Sequence, residues 1–307
     1  MTTNITMGLK QWLMLLILSL LWGGSFFFMK VALLELPTFS IVLLRVSLAA
    51  FTLFVYLKIT NRDLPTSLEV WRLFFYLGFF NNIVPFSLLI YGMTEIASGL
   101  ASILNATTPL FTIVVAHFAT ADERISASKI VGIVLGMLGV SVLIGVEVFS
   151  GISDSLIAML ACLGAAISYA VASVIGRGFK RLSVPPSVGA FGQVFASSLL
   201  LLPLVLVLDS PWQLAMPSFN TVAAIFALGT LSTAIAYVLF FRLIEEAGAT
   251  NAVLVTLLVP VSAILLGWII LNEQLSSNHF LGMLCIGLGL IAIDGRVFNQ
   301  LIAKVSH

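Results

Sequence analysis

"FFNNIVPF", residues 79–86, sets two asparagines and a proline inside a run that is otherwise apolar from Leu73 to Tyr91. In a soluble protein such a cluster marks a surface turn. The composition argues otherwise. Of 307 residues, 60% are hydrophobic and 9% are charged, with a mean hydropathy of +1.16. Soluble domains carry about 25% charged residues. So few charges cannot cover a soluble surface, and the expected class is an all-α polytopic membrane protein. A net charge of +1 argues against a nucleic-acid partner. The two cysteines, Cys162 and Cys285, lie inside apolar runs and read as small core residues, without disulfide or metal spacing.

Outward from that stretch, runs of roughly 20 apolar residues, bounded by charge, proline or polar clusters, recur along the chain. They cover 11–33, 37–58, 70–92, 95–118 and 125–147 in the first half. The second half gives 154–177, 185–208, 219–243, 248–271 and 277–296. Helices are the expected spanning form, because lipid cannot satisfy open backbone groups. Barrel strands would alternate apolar and polar residues, and these runs do not. The first run, Trp12 to Leu34, is too long for the apolar core of a signal peptide and reads as a retained span. The tails are short, and no soluble catalytic domain is expected in them.

Lysines and arginines set the orientation. With the N-terminus in the cytoplasm, the cytoplasmic segments hold Lys10, then Lys58, Arg62 and Arg72, then Arg124 and Lys129. Further along they hold Arg177, Lys180 and Arg181, then Arg242, then Arg296 and Lys304. Only Lys30 and Arg45 remain elsewhere. This bias predicts a multi-pass protein of the cytoplasmic (inner) membrane with both termini inside.

The opening stretch has a distant counterpart. Residues 78–110 align with 229–261, pairing Gly78 with Gly229, Phe86 with Tyr237, Ala101 with Ala252 and Pro109 with Pro260. One residue is then dropped, and "ERIS" (123–126) meets "EQLS" (273–276), Gly132 meets Gly282, and Gly139 meets Gly289. Five spans per repeat is an odd number, so the halves insert with opposite orientation. The prediction is ten transmembrane helices in a 5+5 inverted-topology repeat, with a solute site near the midplane between the halves.

Two copies of one pattern carry a resemblance: "NATTPLFTIVVAHFATADERISASKIVGIVLGMLG" (105–139) and "LVPVSAILLGWIILNEQLSSNHFLGMLCIGLG" (258–289). Together with the opening "LLWGGSFFFMKVAL" (20–33), they resemble the EamA-type family of the drug/metabolite transporter superfamily. The resemblance makes residues 1–150 and 151–307 the two EamA-type repeats. It implies export of amino acids, other metabolites or drugs across the inner membrane. Within the family, the aromatic-rich first, third and sixth spans resemble YddG-type exporters of aromatic amino acids.

Polar residues in mid-span should face other helices or a water-filled cavity. Gly78, Asn82 and Pro85 share one face of span 3, with Asn81 about 100° away. Pro85 cannot donate to the Asn81 carbonyl, so a kink is expected there. Ser98, Ser102, Asn105 and Pro109 form a stripe along span 4, flanked by Thr108 and Thr112. In the second half it thins to Ala249, Val253, Thr256 and Pro260. Span 8 adds Ser232, Thr233 and Tyr237, span 1 Trp22, Ser25 and Phe26, and span 6 Ser168 and Tyr169. Two readings stay open for these groups: helix–helix packing, or the wall of a mostly apolar transport cavity. Pro85, Pro109 and Pro260 are the candidate hinges.

The charged residues near spans carry their own expectations. Arg45 lies about two turns inside span 2, with Gln193 as its repeat counterpart. It reads first as a structural arginine paired with helix ends or Glu35. Lys30 is expected to snorkel outward, or else to sit at the mouth of the cavity. Gly132, Gly136 and Gly139, with Gly282 and Gly289, predict close helix packing within a subunit or between two, so the chain is a monomer or weak homodimer. No acidic residue lies near the centre of a span, which favours gradient-driven facilitation over proton coupling. Three histidines out of mutual register and no central carboxylates argue against a membrane enzyme, and no metal or cofactor is expected. The inverted repeat argues against a channel or structural protein. A small-molecule substrate and the lipid bilayer are the expected partners, with a multidrug or other-metabolite exporter as the alternative within transport.

Overall fold

The computed structural model describes residues 8–119, 127–144, 154–252, 254–274 and 276–294. Among these residues the regular structure is helical. The first half holds α1 (Leu9–Ala32), α2 (Thr38–Ile59), α3 (Leu68–Leu77), α4 (Val84–Glu95), α5 (Ser98–Asn105), α6 (Thr108–Ala119) and α7 (Ala127–Ile144). The second holds α8 (Asp154–Arg181), α9 (Pro186–Leu208), α10 (Phe219–Gly229), α11 (Ala236–Ala247), α12 (Ala249–Ala252), α13 (Val255–Leu271) and α14 (Ser277–Asp294). Among the described residues, seven stretches are long and apolar enough to cross a membrane: Leu9–Ala32, Thr38–Ile59, Leu68–Glu95, Ser98–Ala119, Asp154–Arg181, Pro186–Leu208 and Phe219–Ala247. The stretches expected as fifth, ninth and tenth spans are α7, α12 with α13, and α14. They contain the shorter apolar segments Ile130–Val142 and Leu258–Leu271. The "ERIS" motif with Arg124, Val253, Leu275 of "EQLS", Arg296 and Lys304 lie outside the described residues, as do the side chains of Lys129 and Ala249.

The opening stretch is neither a surface turn nor a simple proline kink. Residues Gly78–Ile83 form a π-helical turn, in which the Val84 amide reaches back five residues to the Phe79 carbonyl. Pro85 then opens α4, where its missing N–H falls in the first turn. The second half repeats the widening at Thr230–Ile235, although Ala236 precedes Tyr237 where Pro85 precedes Phe86. Proline is therefore not what both widened turns share. Their common feature is a glycine beside a neighbouring backbone. A Cβ on Gly78 would lie 2.9 Å from the Gln193 carbonyl oxygen, and one on Gly229 would lie 3.0 Å from that of Arg45.

Helix neighbours survive exchange of the two halves. α1 packs on α13, and α8 packs on α5 and α6. α4 packs on α8, and α1 packs on α10 and α11. α9 meets the first π turn as α2 meets the second, and the pairs α2·α9 and α7·α14 map onto themselves. The last pair is sealed by reciprocal glycines. A Cβ on Gly139 would lie 2.7 Å from the Gly282 carbonyl oxygen, and one on Gly289 would lie 2.6 Å from that of Gly132. The glycine faces therefore meet within one chain.

The two ends of the bundle satisfy their charges differently. Where α1 begins, Lys10 pairs with Glu246 at 2.7 Å and Arg181 with Glu69 at 3.2 Å. At the opposite end, carboxylates accept from helix N-termini of the other half. Glu35 accepts from the Ser218 amide at 2.6 Å, and Asp209 from the Ser40 amide at 2.6 Å. Glu273 accepts from the Ser98 amide at 3.0 Å and from the Ser98 hydroxyl at 2.7 Å. The Ser218 hydrogen bonds hold the exposed Glu35 carboxyl below the usual carboxylate range.

The α7–α14 seam makes a direct prediction. Gly139→Ala and Gly289→Ala each push backbone from backbone and should cost about 1–3 kcal/mol. Gly287, whose Cβ would meet nothing within 4 Å, is the control. Thermal unfolding of the detergent-purified protein should show a lower Tm for the first two variants and little change for Gly287→Ala.

Candidate functional site

A cavity of about 500 Å³ lies between the halves. α1 lends it Trp22, Ser25, Phe26 and Met29, at the three- and four-residue spacings of one helical face. The α3–α4 segment lends Leu77, Asn81, Phe86 and Leu89, and the α5–α6 segment Ser102, Asn105, Ala106 and Thr108. α8 lends Tyr169 and Phe179 among others, the α10–α11 segment Ser232, Thr233, Tyr237, Phe240 and Phe241, and α13 Val255, Thr256 and Val259. Arg45 of α2 and Gln193 of α9 complete the wall. Eight of the lining residues are aromatic. Trp22 and Phe240 have ring centroids 5.1 Å apart, Phe240 and Phe241 5.8 Å, and Phe86 and Tyr169 6.4 Å.

Most hydroxyls on this wall already donate to a nearby backbone carbonyl of their own segment. Ser25 donates to the Trp22 carbonyl at 2.6 Å, Ser102 to Gly99 at 2.6 Å and Thr108 to Asn105 at 2.7 Å. They present lone pairs to a solute and little donor capacity. Asn81 donates to Gln193 Oε1 at 2.8 Å, which joins the halves across the wall. Two wall residues hold buried oxygens without a partner: Asn105 Oδ1 and Ser232 Oγ.

Five residues expected on the wall lie behind it. Gly78 is pressed against α9 backbone. Asn82 is fully buried, donating to Ser197 Oγ at 3.0 Å and accepting from the Tyr237 hydroxyl at 3.2 Å. Pro85 is buried at the start of α4. Ser98 is bound to Glu273, and Ser168 donates to the Phe80 carbonyl at 2.7 Å. Each serves packing or backbone satisfaction in a place where water is excluded. The expected hinges also differ among themselves. The helix breaks at Ala106–Thr107, just before Pro109, whereas α13 runs unbroken through Pro260.

Lys30, in the last turn of α1, is not among the residues lining the cavity; it donates to the carbonyls of Met93 at 2.6 Å and Ile96 at 3.2 Å, at the C-terminus of α4. Arg45 pairs with neither a helix end nor Glu35. It is 5% exposed and stands on the cavity wall. The signal for it was in the sequence: a charge two turns inside a span, matched by polar Gln193 in the other half.

Asn82 yields the next prediction. Its replacement leaves Ser197 and Tyr237 short of a partner, so Asn82→Ala should cost about 1–3 kcal/mol. In a cycle with Tyr237→Phe, unfolding measurements should give a coupling of about 0.5–1.5 kcal/mol.

The sequence profile of the EamA-like transporter family matches residues 9–145 and again residues 156–293. Relatives include the "Uncharacterized transporter YoaV" of Bacillus subtilis (strain 168), 29% identical over 92% of this chain and 95% of the relative. Another is the "Probable amino-acid metabolite efflux pump" of Escherichia coli (strain K12), 26% identical over 92% of this chain and 94% of the relative. A solved crystal structure superposes with a TM-score of 0.67, covering 95% of this chain and 98% of its own, and at 19% identity this likeness concerns the fold alone. This chain, a multi-pass membrane protein, belongs to the EamA-like transporter family.

Proposed function

We propose that this protein exports small organic solutes, aromatic amino acids foremost, across the inner membrane by alternating access. The observation that carries the reading is the cavity: about 500 Å³ between the halves, walled by aromatic and aliphatic side chains, neutral hydrogen-bonding groups and Arg45. Such a wall suits a solute with a ring and a polar head. The relative named an amino-acid metabolite efflux pump supports the same class of solute, and the sequence resemblance to YddG-type exporters narrows it to aromatic members. The proposal counts α7, the α12–α13 pair and α14 as crossings, giving ten spans, five per half, with both termini cytoplasmic. The helix neighbours preserved on exchange of the halves support it, and so does the distribution of lysine and arginine.

The cavity follows α8 from Tyr169 to Phe179, toward the end where α8 finishes and α1 begins. The opposite end is tied shut where Glu273 grips the first turn of α5. In this proposal the structure represents the inward-facing state, and the tie breaks as the halves rock outward. No carboxylate among the described residues lines the cavity, so the solute moves down its own gradient.

Growth of cells producing the protein on toxic aromatic amino-acid analogues tests the reading. Several-fold higher resistance and lower intracellular analogue are expected. Unchanged resistance, with the protein shown to be in the membrane, overturns it.

A further inference from the structure

We infer that Arg45 is the anchor for the solute's carboxylate, so that the transported class is defined by an acid group as well as by a ring. The inference deepens the proposed export of aromatic solutes and rests on it.

Arg45 is a buried cation without a counter-charge among the described residues. The residue is 5% exposed, and what surface it keeps borders the cavity. Its Nε donates to Thr233 Oγ1 at 3.0 Å, and its Nη1 reaches Met29 Sδ at 3.4 Å. Its Cζ lies 3.6 Å from the centre of the Phe86 ring. The guanidinium carries five N–H donors in a plane. Thr233 takes one, a thioether sulfur is a weak acceptor for another, and the ring covers only one face. The remaining N–H groups have no partner among the described residues. Leaving a buried charge unpaired costs several kcal/mol in general, and a bidentate carboxylate is the group that recovers it best.

The carboxylates at the end of the bundle where α1 finishes are engaged elsewhere. Glu35 is bound to the Ser218 amide, Asp209 to Ser40 and Glu273 to Ser98. None forms an ion pair with Arg45 among the described residues. In this inference the counter-charge comes from the solute, which reaches Arg45 from the cavity. The surrounding packing aims the side chain. Gly229 lets the second π turn lie against the Arg45 carbonyl, and Thr233 on that turn fixes Nε. Phe86, from the opening stretch, holds the guanidinium plane on the cavity wall. A ring-bearing acid would place its carboxylate on the free edge of Arg45 and its ring among Trp22, Tyr169 and Phe240. Gln193, the counterpart of Arg45, is neutral and already accepts from Asn81, so the site has one cationic pole.

Binding of L-phenylalanine, L-phenylalaninamide and phenethylamine to the purified protein in lipid nanodiscs tests this. For wild type, L-phenylalanine should bind roughly 10- to 100-fold tighter than the two probes that lack a carboxylate. Arg45→Gln should collapse that ratio, bringing L-phenylalanine to the level of the amide. Arg45→Lys, which keeps charge but loses the bidentate fork, should fall between. Equal binding of all three probes to wild type overturns the anchor and leaves the aromatic-solute reading standing. So does a preference for the acid that persists in Arg45→Gln. Failure of all three to bind removes the aromatic-solute reading itself, and the anchor with it. The wild-type comparison decides even where a substitution prevents folding.

Discussion

Lipid offers no hydrogen bonds, and that constraint governs where this chain departs from the regular α-helix. Departures are confined to places where protein takes over what lipid cannot supply. The two π turns lie against the backbones of α9 and α2, at distances only glycine allows. Ser197 of α9 donates to the Gly78 carbonyl at 3.0 Å, and Thr233 donates to the Leu228 carbonyl at 2.8 Å. The break before Pro109 is likewise satisfied locally, with Thr107 donating to the Leu104 carbonyl at 2.6 Å. These segments sit in the middle of the bundle and border the cavity. Irregular backbone, close glycine contacts and the solute-sized space are thus one feature: helices that widen or break cannot pack side by side along their whole length.

The same constraint shapes the charges. The sequence places lysine and arginine toward one end, and the structure shows what that leaves at the other. Carboxylates there have few cations to pair with. They accept from amides in the first turns of α10, α2 and α5, where the helix dipole supplies partial positive charge. Each such contact joins one half of the chain to the other. The ties are short and made to backbone, and they close that end without an ion pair among the described residues. At the end where α1 begins, exposed pairs such as Arg181 with Glu69 contribute little to stability.

What was legible in the sequence follows from what repeats. Spans showed as apolar runs because bilayer thickness fixes their length, and the halves showed because Gly78, Pro109 and Gly139 each have a partner in register. Side-chain direction was less legible. Asn82 and Asn81 are neighbours in the same stretch, yet the first is sealed behind the wall and the second lies on it. Helical periodicity of about 100° per residue separates them only if the turn is regular, and here the turn is π-helical. Ser98 heads a polar stripe in the sequence. Its partner Glu273 is 175 residues away, and nothing local announces that bond. Proximity in sequence pairs Arg45 with Glu35, whereas Glu35 points to the start of α10. In each case a long-range hydrogen bond, invisible to spacing, decided the outcome.

A symmetric scaffold poses a problem for an asymmetric solute. Exchange of the halves maps helix onto helix, and it maps Arg45 onto Gln193 at the same place on the wall. A solute with a ring at one end and a charged head at the other, as proposed above, needs different chemistry from the two repeats. The backbone keeps the symmetry: both residues lie under a π-turn glycine, and a Cβ added to that glycine would come within about 3 Å of either carbonyl. The side chains break it. Gln193 is occupied by Asn81 and faces the cavity as a neutral amide, while Arg45 keeps donors unspent. The duplicated backbone thus keeps its glycine contacts while the side chains at the paired positions differ, and the difference between Arg45 and Gln193 gives the cavity one cationic side.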